Sequence, residues 1–271
     1  MSTTASVNAI RLRPRPAVVL AGVSAVGLVG FCWPLVVPAQ AGLAHAGDAP
    51  WLFVALLPLL LAVVLAEIAH GGMDAKAVTL LGVLSALGAA LRPLGGGAVG
   101  FEPMFFLLVL AGRVLGAGFG FVCGAVTLFA SALLTAGVGP WLPYQMLGAA
   151  WVGLFAGLLP PARGRAELAL LTAYGVVASF AYGILLNLSL WPFLLDSGSS
   201  VAYVPGDPVL DNLTRFAAYS VASSLGFDIP RAITTAVLIL VTGRPVLLAL
   251  RRAARRAAFD APPEFVEGAR D

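Results

Sequence analysis

The apolar positions of this chain come in unbroken runs, set apart by short joints rich in Gly, Pro and charge. A soluble amphipathic helix alternates its faces every three or four residues, and these runs hold too few polar positions to build a second face. Their length is near the 20 or so residues that cross a bilayer. They predict about eight spans, over residues 17–37, 51–69, 76–92, 102–113, 115–136, 141–159, 167–190 and 231–250. Hydrocarbon offers backbone groups no hydrogen-bond partner, so spans are helices or a closed barrel, and barrel-like alternation is missing. The predicted fold class is therefore all-α, a polytopic membrane helical bundle. The run at 102–113 is too short to cross alone, which predicts either a tilted helix or a partial one enclosed by protein or water.

Composition sharpens the picture. Of the 271 residues, 60% are hydrophobic and 11% charged, against roughly 25% charged in soluble domains. A net charge of +3 raises the question of nucleic acid, but the arginines stand beside apolar spans and not along one soluble face, so no nucleic-acid partner is expected. They read as topology signals. With the N-terminus inside, only Arg92, Arg215 and Arg231 of the 16 basic residues fall outside, which predicts a multi-pass plasma-membrane protein with both termini cytoplasmic. The predicted organisation is a tail at 1–16, two N-terminal spans within 17–75, a six-helix core at 76–250 and a basic tail at 251–271 that reaches anionic headgroups. The first apolar run also imitates a signal peptide ending at Ala39-Gln40-Ala41, although it is longer than a secretory core.

Two loops are long, at 38–50 and 191–230. The second runs through Asp196-Ser197-Gly198 and Pro205-Gly206-Asp207-Pro208 to an amphipathic stretch from Val209 to Leu225, which reads as a lid over an outward pocket or as an interfacial helix.

Candidate chemistry is sparse. No Gly-x-Ser-x-Gly, His-Glu-x-x-His or phosphate-cradling loop occurs, so no enzyme activity, metal or cofactor is expected. Cys32 and Cys123 lack metal spacing and read as packing residues, and His45 and His70 read as solvated loop residues. Small residues say more. Gly82, Ala86 and Ala90 recur every fourth position on one face of the 76–92 span, and Gly116, Gly120 and Gly124 repeat the pattern, either for internal packing or for docking a partner helix. Polar and aromatic groups gather where spans meet the outer surface: Arg92 and Glu102 around Gly95-Gly96-Gly97, then Trp141, Tyr144 and Gln145, then Asn187 and Trp191. Charges at membrane depth cost roughly 2.5–3.5 kcal/mol. Arg92 and Glu102 therefore face each other or a cavity, and the seven residues form the candidate substrate site.

The stretch from Leu80 to Pro160 resembles the substrate-binding S component of energy-coupling factor (ECF-type ABC) transporters. The resemblance rests on Ser85-Ala86-Leu87-Gly88-Ala89-Ala90-Leu91-Arg92-Pro93, on Phe101-Glu102-Pro103-Met104 running into Ala111-Gly112-Arg113-Val114-Leu115-Gly116, and on Gly139-Pro140-Trp141-Leu142-Pro143-Tyr144-Gln145-Met146. It implies a six-helix core, a vitamin or similar micronutrient held by outward loops and helix ends, and an Ala-x-x-x-Ala face, matched here by Ala86 and Ala90 beside Gly82, that docks a transmembrane coupling subunit. It also implies two cytoplasmic ATPase subunits that drive uptake. The first two spans are extra to that core. Two other readings stay open: a self-sufficient secondary transporter, which calls for inverted repeats and mid-membrane charges, and a membrane scaffold without a ligand pocket.

Overall fold

The structure, a computed structural model, describes residues 14–36, 57, 60–62, 64, 66, 73, 75–95, 100–195 and 198–257. His45, His70, Glu67, Gly96, Gly97 and most of the 51–69 run lie outside the described residues, as does the 38–50 loop. Among the described residues there is no strand. The helices are α1 (Pro14–Phe31), α2 (Trp33–Val36), α3 (Ala75–Leu91) with a 3-10 turn at Arg92–Gly95, α4 (Met104–Leu115), α5 (Ala117–Leu134), α6 (Leu142–Leu158), α7 (Gly164–Leu194), α8 (Val209–Ser223) and α9 (Leu225–Ala257). The chain is thus an all-α bundle. Among the described residues α3 with its 3-10 turn, α5, α7 and α9 are long and apolar enough to cross a membrane, and α1, α4 and α6 are shorter apolar helices.

The centre of the bundle is α4, α5 and α6. Every residue of α4 except Phe106 is buried, so its 12 residues meet protein on all sides and need not match the bilayer. Gly116 separates α4 from α5 at φ 104°, a conformation that glycine adopts without a Cβ clash. The α5–α6 contact is the most extensive in the molecule, and glycine explains it. A Cβ on Gly120 would strike the Gly153 carbonyl, one on Gly153 would strike the Gly120 backbone, and one on Gly124 would strike Ala149. Two helices this close gain van der Waals contact that lipid cannot replace. Gly120 and Gly124 therefore serve internal packing, whereas Gly116 makes a turn.

The other small-residue face is different. Helix α3 buries Leu81, Leu84, Ser85 and Gly88 against α5, while Gly82, Ala86 and Ala90 are exposed, as are Val83 and Leu87. A Cβ at Gly82 would meet nothing within 4 Å. Among the described residues this face packs against nothing.

Two helices exceed their apolar runs. Helix α7 starts at Gly164, and α9 spans 33 residues, from Leu225 to Ala257, about 50 Å against a hydrocarbon core of about 30 Å. Arg251, Arg252, Arg255 and Arg256 therefore belong to the last turns of α9 and not to a separate tail. Arg231, the first residue of the predicted 231–250 span, lies six residues beyond the first residue of α9.

Candidate functional site

Each end of the central bundle carries a charged cluster. At the first end, the close of α3, the 100–103 loop, the head of α6 and the head of α9 surround a cup of about 320 Å³. Gly100, at φ 71°, is required here, because a side chain at that position would run into the backbone of Phe227. The loop and the start of α9 are pressed together, which brings Glu102 to Arg231.

Arg231 organises the floor. Its Nε donates to Glu102 Oε2 at 2.5 Å, and its Nη1 donates to Asp228 Oδ1 at 2.6 Å and to the Ser179 carbonyl at 3.2 Å. Asp228, fully enclosed, accepts at its other oxygen from Ser224 Oγ at 2.5 Å. The guanidinium lies 5.1 Å from the Tyr182 ring centre and 5.6 Å from that of Phe105, a cation–π arrangement worth more when desolvated. The Tyr182 hydroxyl is buried and has no hydrogen-bond partner among the described residues.

Arg92 is held loosely by comparison. Its Nε stands 3.9 Å from Glu102 Oε1, and its Nη2 reaches Gln145 Oε1 only at 3.5 Å. Trp141 forms one wall, its indole nitrogen donating to the Gly137 carbonyl at 3.2 Å, and Phe101 and Phe227 form others.

Two further cavities are almost wholly apolar. One, about 290 Å³, lies between α1 and α6, and the other, about 450 Å³, lies between α4, α9 and the α3 end. Hollows lined almost only by apolar groups offer no directional contact to a ligand, so the mixed cup is the site with recognition chemistry.

One comparison decides the family: the model described as "ECF transporter, substrate-specific component" matches residues 76–242. The chain belongs to this family. No curated protein and no solved structure matches it. This ECF substrate-specific component is a multi-pass membrane protein, and its family implies association with the transmembrane and ATPase subunits of an ECF transporter. The match covers α3 to Thr242 within α9 and leaves α1 and α2 outside.

Within this substrate-specific component the sequence-predicted site residues divide. Arg92, Glu102, Trp141 and Gln145 come together at the cup. Tyr144 does not join them: it is buried, its ring meets Phe31 edge-on at 4.9 Å, its hydroxyl donates to the Gly30 carbonyl, and it lines the apolar cavity beside α1. Trp191 is elsewhere again. Fully buried, it donates to the Val201 carbonyl at 2.8 Å and packs with Tyr203, Phe216 and Tyr219 beneath α8. Asn187, on α7, has no hydrogen-bond partner for its Nδ2 among the described residues and does not line the cup. The segment 198–208 is held by Asn212, which exchanges two hydrogen bonds with the Val204 backbone, and by the Arg215–Asp207 pair at 2.7 Å. No residue of α8 lines the cup; among the described residues of the 191–230 stretch only Phe227 does.

Arg231 and Asp228 are the residues that sequence reasoning missed. The available signal was a charged pair three residues apart at the head of an apolar run; Pro230 between them lies inside α9, five residues beyond its first residue.

The second cluster lies where α4 ends and α7 begins. Arg113, fully buried, donates through Nε to Glu167 Oε1 at 2.8 Å and through its Nη atoms to the carbonyls of Leu159, Pro160 and Ala162 at 3.0–3.4 Å. Arg251 of α9 reaches the same Glu167 oxygen at 2.6 Å. This arrangement closes four chain segments on each other.

Proposed function

We propose that the chain captures a vitamin or similar micronutrient in the Arg92–Glu102–Trp141 cup, with that end facing outside the cell, for ATP-driven uptake. The observation that carries the reading is the cup itself, a concave site in which two arginines, a carboxylate and open aromatic faces converge in a chain of this family. Gln145 steadies Arg92, and Arg231 with Asp228 fixes the floor. Transport energy comes from partners: a transmembrane coupling subunit reorients the loaded chain, and two cytoplasmic ATPase subunits drive it. The open face of α3 supports Gly82, Ala86 and Ala90 as the docking strip, since small residues that pack against nothing among the described residues leave room for a neighbouring helix to approach.

A self-sufficient carrier is less well supported. Ion coupling calls for ionisable groups near the membrane midplane, but Arg113 lies in the last turn of α4, and Glu167 and Asp228 lie in the first turns of α7 and α9.

Native mass spectrometry of the gently solubilised chain tests the capture reading; a retained small molecule that Trp141→Ala releases is the expected result, and retention by the variant counts against the cup. For docking, Ala86→Leu and Ala90→Leu should leave ligand binding intact while abolishing co-purification with the coupling subunit. Unchanged co-purification would remove α3 from the interface.

A further inference from the structure

We infer that the cup selects a ligand with a single negative charge of the carboxylate type at one end and a flat apolar body at the other, and that Arg92 is the group that recognises the charge. This rests on the capture reading above and narrows it to a substrate class.

The argument starts from which groups are already engaged. Arg231 commits its Nε and Nη1 to Glu102, Asp228 and the Ser179 carbonyl, and it stands between two carboxylates. Arg92 carries five N–H donors, yet among the described residues its contacts are the 3.5 Å hydrogen bond to Gln145 and the 3.9 Å approach to Glu102. Both are at or beyond the limit of a good hydrogen bond. Its side chain is 19% exposed, so its unused donors are neither buried away nor fully hydrated. A guanidinium in that state fits a planar carboxylate with two parallel bonds.

The opposite charge is disfavoured. A cationic ligand would have to recruit Glu102, whose Oε2 is held by Arg231 while Oε1 faces Arg92, and it would place a third positive charge among two arginines. A dianion is disfavoured for the converse reason. Its second charge would add like-charge repulsion against Glu102 in a partly buried cup, where such repulsion is screened less than in water. One negative charge fits; two do not.

The body of the ligand follows from the walls. Phe101, Trp141 and Phe227 are 42%, 41% and 50% exposed, and all three border the cup. The Trp141 ring is held by its bond to Gly137, so it offers a preset face for stacking.

The test uses the purified full chain in lipid nanodiscs and four probes of one shape: 2-naphthoate, 2-naphthamide, 2-naphthylmethylamine and 2-naphthyl phosphate, titrated by calorimetry at pH 7. The expected order places the carboxylate about tenfold or more ahead of each of the others. Arg92→Gln should erase the gap between carboxylate and amide, and Arg92→Lys should keep part of it, with thermal unfolding of both variants matching the parent. A carboxylate affinity unchanged by adding phosphatidylglycerol to the disc is expected for a free ligand, and competition by that lipid overturns the assignment. An amide or amine that binds as well as the carboxylate, lost in Trp141→Ala but unaffected by Arg92→Gln, overturns the charge inference and leaves the cup standing. Failure of all four probes to bind overturns both.

Discussion

The two charged clusters use the same residue types and reach opposite ends. At the Arg113 end, one guanidinium is saturated by Glu167 and three carbonyls, and a second arginine arrives from α9 to share the carboxylate. At the Arg231 end, one guanidinium is engaged through Nε and Nη1 by two carboxylates and a carbonyl, but the second, Arg92, is left at arm's length. The first arrangement holds helices; the second holds helices and leaves a hand free. What separates a structural ion cluster from a receptive one is the unspent donor capacity beside a cavity, and not the number of charges. Burial matters too, because a desolvated ion that loses its partner has nothing to fall back on, whereas a partly hydrated one does.

Substitutions rank accordingly. The largest loss is expected from Glu167→Ala, which strands Arg113 without a counter-charge in a fully buried position; about 3–5 kcal/mol of stability should go, read as a fall in unfolding temperature in detergent and in folded yield. If Glu167→Ala unfolds like the parent, the closed cluster is not a clasp. Asp228→Ala should cost less, about 1.5–3 kcal/mol, since Arg231 keeps Glu102 and the Ser179 carbonyl. Equal losses at the two sites would erase the contrast drawn between them. Arg92→Gln should shift stability by no more than about 0.5 kcal/mol while changing ligand affinity, and a large stability loss there would show Arg92 to be a structural residue like Arg113.

Much of this was legible in the sequence, and the reasons are specific. The all-α bundle follows from run length alone, and α3, α4, α5 and α6 lie close to the runs that predict them. Trp141 and Gln145 are four residues apart and so stand on one side at the head of α6, where Trp141 walls the cup and Gln145 bonds Arg92. Tyr144 precedes Gln145 by one position, and one step turns a helical side chain by about 100°; that step carries Tyr144 to α1. Trp191 was misplaced because an aromatic residue at the end of an apolar run looks the same whether it lines a ligand site or anchors a loop, and the partners that decide it, Val201 and Phe216, lie beyond the run. Arg231 and Arg113 were hidden for another reason. Counting arginines by side treats each as a marker facing water, and it cannot see those that turn inward to meet Asp228 or Glu167. The extra turns of α7 and α9 leave no hydropathy signal, since a helix can continue past the edge of its apolar run.

The short, enclosed α4 carries a lesson about how the chain is built into a membrane. At 12 residues it is about 18 Å long, little more than half the hydrocarbon depth, so it gains little by entering lipid before its neighbours exist. Insertion during synthesis is then expected to proceed in pairs, with α4 held until α5 emerges behind the Gly116 bend and the hairpin leaves the insertion machinery as a single unit.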